Sequence, residues 1–229
     1  AAFYFARVEA GADDAKIEEL RSELGEYYEN EFGAEYAKQN DGEKAEIDSA
    51  LGKLSPHAVY LQYQYIRANA NPLGSKIKLD AAGDATAYTA THKHVHPILR
   101  EYLEKFGLYD IFLVDLKSGD VVYSSYKELD FGTSLSSGAW ADSGAAEAFR
   151  AAAALERGKT VLVDMRPFVP SYSAPASFMA SPIYEGHEKI GVAMFQLPAD
   201  RFQAIMDSRA GMGETGETYL VGHALQWAP

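Results

Sequence analysis

Two charged residues, Asp164 and Arg166, stand inside an otherwise mostly apolar run in the second half of the chain. Because side chains alternate along a strand, Leu162, Asp164 and Arg166 are predicted to share one side of it. An arginine among apolar neighbours needs a partner, and its planar guanidinium matches a carboxylate at two points. Arg166 is therefore expected either to anchor an anionic ligand or to form an internal ion pair with Asp164 or another acid.

Histidine occupies every second position in the run His92, His94 and His96. Imidazoles four apart on a helix, or two apart on a strand, can bind one metal ion together. Pro97 disfavours the helical conformation at His96, and the flanking threonines and polar residues do not favour a strand. We therefore expect no metal here, and we interpret the histidines as the solvated start of a helix.

The sequence lacks the patterns that catalysis usually requires. Without cysteine it has no thiolate nucleophile, no disulfide and no cysteine-based zinc site. No serine or threonine stands in a nucleophile elbow or beside a matched base. The glycines from Gly211 to Gly216 are not followed by the lysine of a phosphate loop. We predict no enzymatic activity, no cofactor and no bound metal.

Length and charge narrow the classes further. A chain of 229 residues with 47% hydrophobic residues can bury the core of one ordinary domain or two small ones. Its 33 acidic and 21 basic residues give a formal charge of -12, which argues against nucleic acid and anionic membranes, because both need a cationic face. No apolar run approaches the roughly 20 residues that cross a bilayer, and no signal peptide is evident. The chain as written is expected to be soluble.

The part of the chain before residue 97 has the pattern of helices. Asp13 or Asp14 can cap a helix in which apolar residues recur at spacings of three and four from Ile17 onward. Ser55 followed by Pro56 predicts another helix start, with the serine as cap and the proline at the first helical position.

A further helix is expected to begin at Pro97 and to end at Gly107, where glycine tolerates the left-handed conformation. Its apolar residues are predicted to face inward: Ile98, Leu99, Tyr102, Leu103 and Phe106.

The later part of the chain changes to short runs rich in branched and aromatic residues. These runs predict five strands, at 110–115, 121–126, 159–165, 176–181 and 189–197. Gly119 can take positive φ in a hairpin between the first two strands, and a helix from about Ser143 to Arg157 is inserted before the third. Strands joined consecutively by hairpins pair antiparallel.

This order of strands and helices resembles the PAS-like Cache domains, which form the extracytoplasmic ligand-binding parts of bacterial chemoreceptors and related transmembrane receptors. The wording of residues 164–183 is also similar to these domains. The resemblance implies an α+β fold, in which long N-terminal helices pack with a five-stranded antiparallel sheet flanked by helices.

The same resemblance implies a division of the chain into three parts. Residues 1–96 would be an N-terminal helical region, and residues 97–208 the Cache ligand-binding domain. Residues 209–229 would be a linker or the truncated start of a second subdomain, because Gly213 to Val221 resembles the phrase that opens such a subdomain in double-Cache receptors.

In such domains the ligand lies between the inner face of the sheet and the covering helices, in a pocket that is mostly apolar with a few polar groups. The resemblance implies that Tyr172, on the connection into the fourth strand, folds over the pocket mouth with its hydroxyl inward. Arg166 would anchor the ligand. The other candidate lining residues, each of which can also be a core or surface residue, are Asp164, Tyr123, Trp140, Ser177 and Phe178.

The ligand and the receptor class follow from the resemblance as expectations. The family's amino-acid signature, an arginine and a tryptophan-tyrosine pair on the helical insert with a tyrosine and an aspartate downstream, is absent in that form, so acetate or another short carboxylate is expected. The chain would be the periplasmic sensor domain of a methyl-accepting chemotaxis protein, acting in signal transduction. Its membrane spans would lie outside this segment, and a homodimer could form through the helices. The alternatives are the input domain of a sensor histidine kinase or cyclase, an amino-acid-binding sensor, and a structural module for dimerisation.

Overall fold

Helices form the first part of the described chain, in a computed structural model that covers residues 13–200, 206–207, 220–221 and 227–228. Helix α1 (Asp14–Tyr27) continues through a π-helical turn (Tyr28–Phe32) into α2 (Gly33–Gln39), with right-handed helical angles at both junctions. Asp13 caps α1, because its side chain accepts a hydrogen bond from the amide of Lys16 at 2.9 Å. The predicted start of this helix is confirmed.

Two shorter helices follow, α3 (Asp48–Gly52) and α4 (Pro56–Gln62). A second π-helical turn (Tyr63–Arg67) extends α4. The side chain of Ser55 accepts a hydrogen bond from the amide of Ala58 at 3.2 Å, and Pro56 stands at the start of the helix, as predicted.

Helix α5 (Ala87–Phe106) begins ten residues before the predicted start at Pro97, which lies inside the helix. The prediction was wrong because a proline inside a helix is unfavourable, and the sequence shows no local signal that offsets this cost. In the fold, the buried side chains of Tyr88, His92 and His96 hold the first half of the helix against the core. Gly107 ends α5 with φ 59, as predicted.

The buried stripe of α5 also differs from the predicted one. It runs through Tyr88, His92, His96 and Leu103, so two of the histidines face the core. Three residues that were predicted to face inward are instead exposed: Ile98 (67%), Tyr102 (41%) and Phe106 (51%).

Five antiparallel strands form one sheet in the order β2-β1-β5-β4-β3. The strands are β1 (Asp110–Asp115), β2 (Val121–Ser124), β3 (Val161–Phe168), β4 (Ala174–Glu185) and β5 (Glu188–Leu197). Helix α6 (Gly144–Ala154), capped by Ser143, stands between β2 and β3 in the chain. The predicted α+β fold is confirmed, with helices flanking a sheet in the PAS-like strand order.

The two faces of the sheet contact different elements. The face that carries Phe112, Phe178 and Met194, called the inner face below, meets α6, since a Cβ on Gly144 would lie 3.6 Å from the ring of Phe178. The opposite face meets α5, where the rings of Tyr102 and Phe195 are 6.0 Å apart. One continuous core joins the helices and the sheet.

The predicted boundary between residues 96 and 97 falls within α5, and the division into 1–96, 97–208 and 209–229 stays a prediction. The phrase from Gly213 to Val221 lies largely outside the described residues, although β6 (Leu220–Val221) pairs with β7 (Trp227–Ala228). In the described part of the chain, no helix combines the length and the apolar character that a membrane crossing demands.

Candidate functional site

Arg166 lies on the edge strand β3, where a bulge changes the predicted alternation of faces. Val163 pairs with Phe178 and Arg166 pairs with Ala176, so an extra residue is accommodated between them. Arg166 is therefore on the inner face and opposite to Leu162, which corrects the prediction that the two share a side. Its guanidinium is half-exposed and forms an ion pair with Glu147 on α6, 3.1 Å between Nη2 and Oε2. This is one of the two arrangements expected for Arg166, with Glu147 as the acid in place of Asp164.

Asp164 and Tyr172 lie apart from each other, Asp164 in the bulge of β3 and Tyr172 in the turn between β3 and β4. Asp164 is exposed within the bulge. Tyr172 has a positive φ of 58, which is uncommon for a residue with a side chain. Its ring stacks on Phe32 with centroids 5.0 Å apart, and its carbonyl accepts a hydrogen bond from Asn40 Nδ2 at 3.0 Å. Tyr172 thus joins the turn before β4 to the long N-terminal helix.

The remaining predicted residues do not all meet in one place. Phe178 is buried on the inner face, and Trp140 is buried in the chain segment before α6, where its Nε1 donates to the carbonyl of Leu129 at 3.4 Å. Tyr123 faces the other side of the sheet, toward His96 of α5, and Ser177 bonds the carbonyl of Val163 at 2.7 Å from a strand position next to Phe178. The predicted set is therefore divided between the two faces.

Three buried acids that were not predicted lie close to one end of the sheet, where β1 begins and β5 ends. We call Asp110, Glu128 and Asp130 the acidic cluster; Asp110 and Asp130 are fully buried and Glu128 is partly buried. Asp110 is the first residue of β1, and the other two belong to the insert, residues 125–143, which connects β2 to α6.

Asp110 is a fully bonded member of the cluster. Its two oxygens accept four hydrogen bonds: from the amides of Ile111 (2.6 Å), Ser125 (2.8 Å) and Tyr126 (3.0 Å), and from Ser124 Oγ (2.7 Å). Burial raises the pKa of Asp110 and lowers that of Lys127. The attraction between their opposite charges opposes both shifts, because it favours the charged form of each group. Lys127 Nζ also donates to the carbonyl of Ser124 and lies 4.5 Å from the centre of the Tyr123 ring. Asp110 and Lys127 therefore balance each other in charge.

Glu128 connects the insert to the sheet through two hydroxyl groups. Its Oε1 accepts from Tyr109 OH and its Oε2 from Ser171 Oγ, both at 2.8 Å. Ser171 Oγ in turn accepts from Gln196 Nε2 at 3.1 Å, while Gln196 Oε1 is buried without a hydrogen-bond partner. Burial raises the pKa of Glu128 to about 8, and Asp110 raises it further, while the two hydroxyl donors lower it.

Asp130 is held in place by the amide group of Gln62 on α4. Gln62 Nε2 donates to the carbonyls on either side of Asp130, those of Leu129 at 3.0 Å and Phe131 at 2.6 Å. Asp130 is 1% exposed, and its Oδ1 has no hydrogen-bond partner. Burial raises the pKa of Asp130 well above its ordinary value, and the charges of Asp110 and Glu128 add to this effect. The cluster therefore contains one buried acceptor without a donor, and Gln196 Oε1, which Ser171 connects to Glu128, is a second one beside it.

Two stacked tyrosine rings lie beside the cluster. Tyr109, whose hydroxyl bonds Glu128, stacks on Tyr126 with centroids 5.1 Å apart. The charge of Glu128 contributes to the raised pKa values of Tyr27 and Tyr172, after the larger effect of burial, which indicates that both rings lie near it. The site therefore combines aromatic walls with carboxyl groups.

Two signals in the sequence could have indicated this site. The run from Lys127 to Asp130 has three charged residues in four positions, directly after a strand that the fold must bury. Gln196 stands at an inward position of β5, two residues after Met194 and four after Val192. A polar side chain in such an alternation is unusual unless it bonds a neighbour or a ligand.

His92 and His96 are buried on α5 rather than solvated, which corrects the interpretation of the histidine run. His96 Nε2 must donate to the carbonyl of Ile77 at 2.6 Å, so its Nδ1 accepts from Tyr123 OH at 2.7 Å. Burial lowers the pKa of His92 to about 2 and that of His96 to about 3. Within the described residues, no group of three potential metal ligands occurs.

No family model matches the sequence, and no curated protein matches it. Among solved structures, the chain is similar to the sensor domain of the Vibrio cholerae histidine kinase DctB, with 15% identity and a TM-score of 0.40, over 83% of this chain and 58% of that one. It is also similar to the ligand-binding domain of the Pseudomonas fluorescens chemoreceptor CtaA, crystallised with L-leucine, with 14% identity and a TM-score of 0.36, over 94% of this chain and 72% of that one. Because the chain spans little more than half of the first of these domains and the similarities are weak, the function proposed below rests on the geometry of this chain.

Proposed function

We propose that the chain is an extracytoplasmic sensor domain of a transmembrane receptor and that it binds a small molecule at the acidic cluster. The observation that supports this most is the pair of unpartnered buried acceptors, Asp130 Oδ1 and Gln196 Oε1. Leaving a buried acceptor unpaired costs about 1–3 kcal/mol, so each of these atoms favours a partner from outside the chain. A bound ligand with hydrogen-bond donors would supply it.

The surroundings of the cluster fit a sensor. The acids lie where the sheet and the insert meet the N-terminal helices, and the hydroxyl groups of Tyr109 and Ser171 hold Glu128 in place. Tyr28 lies in the π-helical turn of the long N-terminal helix and donates a hydrogen bond to Gln62, which in turn bonds the carbonyls on either side of Asp130. A ligand that favours one position of this helix over another would shift the balance between two receptor states.

The receptor class is proposed from the sequence resemblance. A methyl-accepting chemotaxis protein would use the domain to bind its effector and to move the helices toward the membrane spans. A sensor histidine kinase or a cyclase would use the same domain in the same way, with a different output. A homodimer through the helices stays part of the proposal.

A short carboxylate such as acetate, anchored by Arg166, stays one candidate ligand. The half-exposed guanidinium is accessible, and a carboxylate could replace Glu147 as its partner. An amino acid is the second candidate, because the acidic cluster offers acceptors for an ammonium group.

A thermal-shift screen tests the proposed function. Acetate, propionate, pyruvate, lactate and amino acids are each added to the purified chain, since a ligand that binds only the native state raises its melting temperature by mass action. We expect at least one compound to raise the melting temperature in a concentration-dependent way. A flat response to the whole screen, extended to small amines, would contradict the proposal and favour a structural module.

A further inference from the structure

The charges around the acidic cluster do not balance. Two carboxyl groups are buried there, those of Asp110 and Asp130, and that of Glu128 is partly buried; Lys127 is the one buried cation that acts on them among the described residues. The ion pairs in the described part of the chain involve neither Glu128 nor Asp130. Because Lys127 compensates for Asp110, two carboxyl groups are left without a cation. Such groups stay protonated, or they ionise when a positive partner arrives.

The unpaired hydrogen-bond acceptors, like the uncompensated acids, favour a ligand with N–H donors. Among the described residues three buried polar atoms have no partner: His92 Nε2 on α5, and two oxygens in this part of the fold, Asp130 Oδ1 and Gln196 Oε1. Both oxygens can accept hydrogen bonds, and both side chains are more than nine-tenths buried. The amide nitrogen of Gln196 is already used by Ser171. The site therefore requires donors, and a donor that carries a positive charge would satisfy both the acceptors and the acids.

The tyrosine rings favour the same kind of ligand. Cations are attracted to the faces of aromatic rings, and Tyr109, whose hydroxyl bonds Glu128, stacks on Tyr126 beside the cluster. A simple carboxylate would meet these rings and two acids without gaining a cationic partner in the cluster.

We infer that the acidic cluster binds the ammonium group of a primary amine or an amino acid, an inference that rests on the proposed sensor function. A primary ammonium has three N–H donors, so it can donate to Asp130 Oδ1 or Gln196 Oε1 and at the same time to other oxygens of the site. A quaternary ammonium has the charge but no donor. The two kinds of cation therefore distinguish this site from a simple aromatic cage.

Binding of an ammonium group is coupled to proton release. Glu128 holds its proton at neutral pH when no ligand is bound, and a cation beside it favours the ionised form. The titratable groups that interact with Glu128 are four phenols and two acids: Tyr27, Tyr109, Tyr126, Tyr172, Asp110 and Asp130. The phenols are neutral near pH 7 at their ordinary pKa of 10.0, and burial raises their pKa values further. The association constant for an amine should therefore rise with pH, by up to about tenfold per unit, until pH about 8.

The sign of this dependence separates the two ligand classes. An anion bound by the neutral acid would be repelled once Glu128 ionises, so its association constant would fall as the pH rises through about 8. An anion held by Arg166 alone would show almost no change over this range, because arginine keeps its charge.

Calorimetric titration and thermal shift with ethylamine, tetramethylammonium, alanine, leucine and acetate test the inference at pH 6, 7 and 8. We expect ethylamine or the amino acids to bind, tetramethylammonium to bind at least about tenfold more weakly, and the affinity for the amine to rise with pH. Ethylamine and alanine separate a free amine from an amino acid as the source of the ammonium group.

Two variants complete the test. Asp130→Asn keeps the shape of the side chain and removes its ability to ionise, and it should weaken amine binding about 10-fold to 100-fold. The matched control is Asp142→Asn, at an exposed position of the insert, which should leave the affinity unchanged. Where Asp130→Asn loses the amine but keeps its circular dichroism spectrum, misfolding is excluded as the cause.

The outcomes distinguish this inference from the proposed function. Binding of acetate alone, without any amine or amino acid, overturns the ammonium site and leaves the sensor function standing. Equal binding of tetramethylammonium and ethylamine, an affinity that falls with pH, or an unchanged affinity in Asp130→Asn also overturns it. Failure of every compound contradicts both.

Discussion

Tyr28 on the long N-terminal helix donates a 2.6 Å hydrogen bond to the side-chain oxygen of Gln62 on α4. The nitrogen of the same carboxamide donates to the carbonyls of Leu129 and Phe131, on either side of Asp130. One side chain thus connects the first helix to the part of the insert that carries the acidic cluster. A change at the cluster would be transmitted to the helix through this short, buried path.

Tyr28→Phe is expected to destabilise the protein by about 1–3 kcal/mol, because it leaves the oxygen of Gln62 buried without a donor. Chemical unfolding in urea measures the change. Tyr63→Phe is the matched control, since its hydroxyl makes only a half-buried bond of 3.4 Å to Glu23 and should change the stability by less than about 0.5 kcal/mol. Equal losses in the two variants would contradict the role given to Tyr28.

Gln62→Leu is expected to cost about 3 kcal/mol, because the carbonyl of Phe131 and the hydroxyl of Tyr28 lose their partner, while the carbonyl of Leu129 keeps only the 3.4 Å bond from Trp140. The same unfolding measurement applies. Gln64→Leu, two residues along the chain at a half-buried position, should have little effect. A Gln62 variant as stable as the Gln64 variant would show that the carbonyls bond elsewhere.

Glu128→Gln should flatten the dependence of stability on pH. The pKa of Glu128 is raised from 4.5 to about 8 in the folded protein, so the folded state binds the proton more tightly than the unfolded state between these values. Stability is therefore lost as the pH rises through this window, by up to about 1.4 kcal/mol per unit, and levels off above about 8. Unfolding free energies from pH 5 to 8 measure the slope, which Glu101→Gln, at an exposed position, should leave as it is. An identical slope in Glu128→Gln would contradict the raised pKa.

His92→Gln should flatten the acid side of the same curve. Burial lowers the pKa of His92 from 6.5 to about 2, so below pH 6.5 the unfolded state takes up a proton that the folded state refuses. Stability is present above pH 6.5 and is lost as the pH falls. The slope between pH 6.5 and 4.5 should decrease by about one proton in the variant, whereas His94→Gln, on the exposed side of α5, should keep it. Equal slopes for both variants would show that His92 is protonated in the fold.

Arg166→Ala tests the carboxylate anchor. The exposed ion pair with Glu147 contributes less than about 1 kcal/mol, so the variant should fold normally. If a short carboxylate binds at Arg166, its thermal shift should disappear in this variant and persist in Arg150→Ala, whose side chain is exposed on α6. An unchanged response to every anion would remove Arg166 from the site.

The positions of the strands along the chain could be predicted because they depend on local signals. Alternation and turn glycines such as Gly119 locate β1 and β5 to within a residue, and Asp13 and Ser55 locate two helix starts. Helix α5 could not be predicted from such signals, because Pro97 argues locally for a start that tertiary packing overrides.

The site was harder to predict than the fold for a physical reason. Arg166 was assigned by simple alternation, and a bulge of one residue moved it to the other face while an acid of another element, Glu147, became its partner. The acidic cluster depends on Asp110, Glu128 and Gln196 meeting across the sheet and the insert. Contacts between distant parts of a chain leave no local pattern in a single sequence.

A structure of the chain bound to the compound that raises its melting temperature most is the most direct test of the central claim, that the ligand binds at the acidic cluster. The account predicts a ligand donor within about 2.7–3.2 Å of Asp130 Oδ1 or Gln196 Oε1. A ligand bound elsewhere, with both of these oxygens still unpartnered, would contradict it.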